Sequence, residues 1–589
     1  MKVSDGPLRT RMQKLITSIT ATLVVACAAA TPAAAKYTFQ PSKDRETHLL
    51  SKAFDGGFPN ASSQNGAFSQ DRQLTTLAAY DSFASNILPG DVNGTRDVFL
   101  VFRNRPYNLD GPPWRARKTV IASQRKDGVQ GNGPSYLPDI DGEQRHGPSC
   151  VAFISAASNL VPGDTNGKPD AFIKYLKSGQ IKRVSVNSQR QQALGKTTEV
   201  KVDGDCRRVA FVSDAPNLAL TRTSKKLWRT ARTSAPPPGT RQVYVRILDG
   251  LYDNKGLRGL TFMASASSRG AAGNGHSFDV GFARAAGGCP QRCGDFSGED
   301  VVFASAATNL SAGDPNPRTD VYKRTFKRAF SRLRRLRVLG KGSLRMKTRL
   351  VSATSSGRAG NGASRRPVTE DQGRYIAFET KASDLLPGDS NGVSDIARAD
   401  TAGRRVKQLW VSRSREARGP GNGGSYDPAM TRPASPIFFT SDATNLQPNP
   451  PSRPGVYHDT NGASDVFLWG ITSGNASLNS RDSKNNMFNL PKDANHSLYS
   501  LVADHERELL DEPGYGQHVP HTGSSNPATS YLGNYMLFET AYPLVDLPLA
   551  AKEFPGLGGN GTRAAGMSKS AKLRQVYLRY IGPRGPPRG

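Results

Sequence analysis

Five loops of this 589-residue chain carry side-chain oxygens at a fixed spacing. Each follows Gly-Asp-x-Asn-Gly-x-x-Asp or a close variant, with Asp, Asn and Asp at relative positions 1, 3 and 7. The sets are Asp91, Asn93, Asp97; Asp164, Asn166, Asp170; Asp314, Asn316, Asp320; Asp389, Asn391, Asp395; and Asp459, Asn461, Asp465. Three oxygen ligands, completed by carbonyls and water, would make a modest site for a hard cation, calcium first. The spacing is not that of an EF-hand. The same residues also close turns with no ion: Asp and Asn side chains accept their own backbone N–H groups, and Asn and Gly tolerate positive φ. Turn chemistry is the first reading and calcium the second.

Other chemistry is sparse. Asp504, His505, Glu506, His518 and His521 fall in one long insertion, where Pro520 and nearby glycines oppose a helical His pair. Cys289 and Cys293 are close enough for a small disulfide staple. Cys150 and Cys206 precede equivalent strands of adjacent units and either pair or stay as buried thiols. There is no nucleophile elbow, phosphate-binding Walker loop or dinucleotide fingerprint, so no catalytic residue is assigned.

The formal charge is +30, which favours anionic partners. Residues 323–347 hold a basic insertion in which Phe326, Phe330, Leu333 and Arg337 recur at helical spacing. As a helix it would be apolar along one narrow face and cationic elsewhere, suited to a membrane surface or an acidic polymer; the plainer alternative is a solvated hairpin tip. Lys225, Lys226, Arg229 and Arg232 form a second basic cluster. The expected partners are a protein or an anionic polymer, with no sequence-specific nucleic acid, and the expected state is a monomer.

The elements that must hold these residues are short strands. The Asp–Asn loops recur at roughly 70–75 residues, the mark of a repeat protein. Gly (59) and Pro (40) bound short apolar runs, which is the all-β signature. Each unit opens with a Gly-Asn-Gly-x-Ser loop, such as Gly131–Ser135 or Gly421–Ser425, and continues through four strands. Four-stranded antiparallel blades repeated around an axis make a single β-propeller. Seven units can be counted, the third and seventh without an Asp–Asn loop; six blades is the alternative. The last unit stops after its third strand, so His48–Phe54 is expected to complete it and close the ring.

In such blades the 4→1 and 2→3 connections share one face. Both repeated loops therefore lie together, with insertions 219–241, 480–524 and 546–572, while 286–298 and 323–347 fall on the other face. Residues 1–35 read as a signal peptide, with an apolar stretch from Leu15 to Ala30 and an Ala33-Ala34-Ala35 cleavage site. The propeller spans 36–582 and a tail 583–589. The chain is expected to be exported: secreted, periplasmic or at the cell surface, with acylation of Cys27 as the lipoprotein variant.

Gly373-Arg374-Tyr375-Ile376-Ala377-Phe378 and Asn159–Phe172 resemble the WD40-like propeller repeat of the TolB family, whose common form is close to GRYVAFxSxASNLVPGDTNGxxDVF. The resemblance implies the fold over most of residues 45–582 and an extracytoplasmic binding role; members commonly have six blades. The expected function is a non-enzymatic propeller that binds a macromolecule through its loop face. The alternative is a propeller lyase or hydrolase acting on a polysaccharide or other polymer. Acid, His or Arg side chains converging on the central channel would favour the alternative, and the repeat pattern places none there.

Overall fold

The computed structural model describes residues 47–580 apart from 72–74, 105–113, 143–146, 249–256, 284–299, 330–342, 415–418, 432, 433, 435, 447–463, 471–475, 479–524, 530–534 and 541–573. Seven four-stranded antiparallel sheets follow one another in chain order. Blade 1 is Ser63–Phe68, Leu77–Ser82, Asp97–Arg103 and Ala116–Ile121. The first strands of blades 2 to 7 are Ser135–Ile140, Thr197–Val202, Ser277–Phe282, Ser364–Thr369, Ser425–Met430 and Ser525–Thr529. They line the axis in succession, and blade 7 packs on blade 1. The protein is a seven-bladed propeller.

The ring is latched by the leading end of the described chain. Thr47–Leu49 pairs with Gln575–Tyr580 as the fourth strand of blade 7. The latch is shorter than the expected His48–Phe54. Past Leu50, whose N–H still reaches the Val576 carbonyl, the chain enters a turn in which Ala53 N–H donates to the Gly57 carbonyl and Gly56 N–H to the Ala53 carbonyl. Gly56 supplies a φ of +93° there.

The second and third strands carry the core because blades cover both their faces. Ala79 and Tyr80, and their counterparts in every blade, are fully buried. In six blades an aromatic of the second strand stacks on one of the third, as in Phe153 over Phe172 at 6.0 Å and Phe538 over Tyr577 at 6.0 Å. Each such ring buries a large apolar area and prefers this offset geometry.

Adjacent blades are also tied by a basic or amide side chain on an outer strand. Lys174, Arg246 and Arg324 reach carbonyls that follow the fourth strand of the preceding blade: Gln124 at 2.6 Å, Asn187 at 3.0 Å and Ala266 at 3.0 Å. In blade 5 Gln408 does the same to Ala353 at 2.7 Å. Part of the positive charge is thus spent inside the structure.

Candidate functional site

The repeated loops meet on one face, as the topology requires. In blade 1 Asn93 donates through Nδ2 to Asp97 Oδ2 at 2.7 Å and to the Gly131 carbonyl of the next connection at 3.0 Å. Its Oδ1 accepts the Thr95 N–H, and Asp97 Oδ1 takes the Ser123 hydroxyl. Asn166 with Asp170 and Asn391 with Asp395 repeat the arrangement. In the third copy, in blade 4, Ser352 donates to Asp320, while Asp314 accepts the Tyr322 hydroxyl. In the second, Asp164 pairs with Arg183 at 2.9 Å. In the fifth copy Asp459 and Asn461 lie outside the described residues; Asp465 opens a third strand.

Blades 3 and 7 show what these side chains do. There Gln242 and Gln575 stand where Asp stands elsewhere. Gln242 accepts from Ser265 at 2.6 Å and donates to the Gly273 carbonyl at 3.1 Å. Gln575 accepts from Ser51 at 2.9 Å and donates to the Ala61 carbonyl at 3.0 Å. One amide replaces the Asp–Asn pair, so the role common to all these blades is to tie third strand, fourth strand and next connection together. Burial pushes Asp97 and Asp170 up to about 6, and Asp320 and Asp395 up to about 7.

The Gly-Asn-Gly loops are clasps of the same kind. Asn132 N donates to Asn159 Oδ1 at 3.0 Å, Asn132 Nδ2 donates to Ser158 Oγ at 3.0 Å, and Ser158 N donates back to Asn132 Oδ1. Asn60, Asn274, Asn361 and Asn422 repeat it. These clasps fix the described turns of the face. The face is also cationic. Lys52, Arg125, Lys126, Lys168, Arg190, Arg318, Arg358, Lys381 and Arg413 are exposed on its connections, against Asp55, Asp127, Asp384 and Asp442 among the described acids.

In the basic insertion 323–347 the structure sets aside the helical alternative over residues 323–329 and shows the stem of a hairpin. Asp320–Ala329 and Ser343–Leu350 form one long hairpin, so residues 323–329 are strand and not helix. Phe326 faces the core with Phe262 and Phe282. Lys323 is tied to Gly373, Thr401 and Asp300, and Arg324 to the preceding blade. A helical spacing of two phenylalanines coincided with a strand in which Lys323 and Arg324 are taken up by neighbours. Residues 330–342, with Phe330, Leu333 and Arg337, lie outside the described residues.

Charged groups do converge on the central channel, which the repeat pattern had not placed there. The third residue of several first strands is left-handed: Asn65, Leu137, Asp279, Arg366 and Asp427 have φ between 49° and 56°. A bulge at this point turns a side chain toward the axis and frees a backbone N–H. A carboxylate from the preceding blade takes that N–H. Glu539 accepts from Asn65 at 2.7 Å, Asp81 from Leu137 at 2.8 Å, Asp279 from Arg366 at 2.9 Å and Glu379 from Asp427 at 2.8 Å. Glu199 accepts from both Asp279 and Val280, and Asp139 from Val202. In blade 7 the third residue is Pro527, which has no N–H.

Arg366 sits among these acids, bonded to Glu379 at 3.0 Å and to Asp427. Burial works against its charge, yet Asp427, Glu379 and Asp279 hold its pKa above the ordinary value. Glu199 is pushed up to about 7, first by burial and then by Asp279. The first strands enclose a cavity of about 360 Å³, lined by Glu199, Asp279, Arg365 and Asp427 and by Phe68, Phe282 and Met430 at the strand ends. The signal for three of the acids was an Asp or Glu inside an apolar second strand: Tyr80-Asp81-Ser82, Phe378-Glu379-Thr380 and Phe538-Glu539-Thr540.

Cys150 and Cys206 form a disulfide between blades 2 and 3, resolving the two alternatives for that pair. With Asp141 they are the one grouping among the described residues close enough to hold a metal, but both sulfurs are already bonded to each other. Residues 1–35 with Cys27, the Cys289–Cys293 pair, the insertions 286–298, 480–524 and 546–572, and the group Asp504, His505, Glu506, His518 and His521 lie outside the described residues.

Comparison with solved structures returns β-propeller proteins at low identity. An oligogalacturonate lyase from Vibrio parahaemolyticus aligns over 92% of this chain and 97% of its own, with 9% identity and a TM-score of 0.40. TolB from Acinetobacter baumannii aligns over 69% and 63%, with 12% identity and a TM-score of 0.30. An acylaminoacyl peptidase from Pyrococcus horikoshii aligns over 73% and 47%, with 11% identity and a TM-score of 0.33. No protein-family model matches the chain, and no curated protein sequence matches it.

Proposed function

We propose that the protein is an exported, non-enzymatic propeller that binds a macromolecule across the face built from its 4→1 and 2→3 connections. The observation that carries this reading is the surplus of exposed Lys and Arg on loops whose turns are fixed by repeated Asn clasps. A rigid surface loses little conformational entropy on binding, so moderate contacts can add up. In this reading the chain is a TolB-type repeat propeller, on the strength of the repeat residues Gly373–Phe378 and Asn159–Phe172. Export accords with the leader-like residues 1–35 and with the Cys150–Cys206 disulfide. The test is a hydrogen-exchange footprint of the mature chain in the presence of extracytoplasmic proteins and polymers. Protection over 122–134, 184–196 and 214–241 is the expected result. Protection confined to outer strand edges or to the opposite mouth of the channel would overturn the reading.

A second reading, a polymer-cleaving enzyme, rests on Glu199, which lines the central cavity with a carboxyl pushed up to about 7 by burial and Asp279. A proton held near neutrality is what a general acid needs. Cleavage of an acidic polysaccharide, lost in Glu199→Gln, would establish it; an inert wild-type protein would dispose of it.

A further inference from the structure

We infer that the insertion at 219–241 is a docking site for an anionic polysaccharide. The inference rests on the loop-face reading above and gives it a location and a ligand class. In blades 1, 2, 4 and 5 the connection between second and third strands is an Asp–Asn turn; in blade 3 the same connection carries cations.

The insertion is built and not merely charged. Its 3₁₀ helix, Lys226–Ala231, packs on Ser343–Leu350 of blade 4. Trp228 and Ala231 enter the core with Leu220 and Leu350. Past the helix, Ser234 N donates to the Gly270 carbonyl at 3.0 Å and Ser234 Oγ accepts the Ala272 N–H at 2.9 Å. The approach is so close that a Cβ on Gly270 would come within 2.8 Å of the Arg232 carbonyl.

On this anchor Arg222, Lys225, Lys226, Arg229 and Arg232 are all exposed, with Arg269 beside them on the next connection. None of the six forms a salt bridge among the described residues. A 3₁₀ helix has three residues per turn, so Lys226 and Arg229 line up on one edge, and Arg232 continues the spacing. The nearby loop acids are withdrawn: Asp314 is 1% exposed and holds Tyr322. A row of cations with no facing acid suits a linear polymer with regularly spaced carboxylates or sulfates, which Arg can grip in bidentate fashion.

A nucleic acid is the other linear polyanion, and the surface suits it less. Single-strand binding relies on aromatic faces for base stacking. The aromatic ring here, Trp228, is buried beneath Lys225, whose Nζ lies 3.7 Å from the ring centroid. No exposed large aromatic of this sector occurs among the described residues.

The test uses the mature full-length protein on heparin resin and in competition with polygalacturonate. Lys226→Glu with Arg229→Glu should lower the salt needed for elution and weaken polygalacturonate competition about tenfold. Arg117→Glu with Lys118→Glu, the same charge change on the outer strand of blade 1, should elute with wild type. Thermal melting of both variants checks that they fold. Unchanged elution of the helix variant would overturn the inference. So would displacement by sheared duplex DNA as effective as that by polygalacturonate at equal charge, which would make the patch a general polyanion surface. If wild type ignores acidic polysaccharides while another macromolecule protects the loop face, this inference falls and the binding reading stands. If polysaccharide binds but protects other surfaces, the binding reading falls as well.

Discussion

The carboxylate of Glu539, in blade 7, accepts the backbone N–H of Asn65, in blade 1, at 2.7 Å. The two residues are 474 positions apart and meet where the ring closes. Glu539 is 3% exposed and also faces Arg574 at 3.4 Å. Asn65 is left-handed, so its N–H points out of the ordinary ladder and has to be met by a side chain.

Glu539→Ala removes that acceptor and leaves both Asn65 N–H and the Arg574 guanidinium without it. The expected loss is about 1–3 kcal/mol, the usual cost of leaving a partly buried donor without its acceptor. Glu539→Gln keeps an oxygen and should lose less. Chemical denaturation of the two variants checks the order; equal stability of Glu539→Ala and wild type would remove the closing role assigned to this bond.

Much of the propeller could be read from the chain because its punctuation is periodic. The Gly-Asp-x-Asn-Gly loops, and the Asp that opens five of the seven third strands, mark the repeat, and the missing fourth strand of the last unit pointed to the leading end. The channel was harder to read. Asp81, Glu379 and Glu539 interrupt apolar strands, and strand alternation alone would send such residues to solvent. They turn instead toward bulges in the neighbouring blade, a contact that has no local signature. Lys323 and Arg324 failed for a related reason: their partners are backbone carbonyls and side chains far along the chain. The Gln242 and Gln575 substitutions show the reverse case, in which a lost motif hides a retained bond.

The Cys150–Cys206 disulfide closes a 56-residue separation and joins two blades. Loop closure of that size restrains the unfolded chain by about 2–4 kcal/mol. Cys206 also sits at a φ of 58°, so a side chain other than Gly pays a backbone cost there that the cross-link offsets. Reduction, or Cys150→Ser, should lower the melting temperature by several degrees. A Cys206→Gly variant, relieved of the backbone strain, should lose less than Cys206→Ser; the opposite order would refute this division of the effect.

The Asp–Asn loops can be tested directly for calcium. Their amide and carboxylate groups are engaged with each other, with a hydroxyl and with the next connection, and blades 3 and 7 achieve the same ties through a glutamine. Melting in EDTA and in added calcium should therefore coincide. A rise with calcium would mean that binding stabilises the folded state by mass action, and the oxygens at positions 1, 3 and 7 would then be its ligands. Asn93→Ala should destabilise whether or not calcium is present, because it breaks the tie to Gly131.

Burial also sets the direction in which stability changes with pH. Glu199, Asp141, Asp320 and Asp395 are all pushed up to about 7, with desolvation as the first cause in each. A carboxyl whose pKa is higher folded than unfolded binds its proton more tightly in the folded state. Its contribution is complete below the ordinary carboxylate value and is lost as pH rises through about 7. Stability should therefore fall across that window, by about 1.4 kcal/mol per pH unit for each group that titrates. Asp400, held below its usual value by its bond to Arg374, and His276, pushed down by burial and then by Arg241, have the opposite sign. They are partly exposed and fewer. Melting temperature should be higher at about pH 5 than at about pH 7.5, and Glu199→Gln, which cannot ionise but can still accept the Asp279 or Val280 N–H, should flatten the slope. A melting temperature that climbs over this range would show that the buried carboxyls are ionised in the folded protein and that their hydrogen bonds outweigh the loss of water.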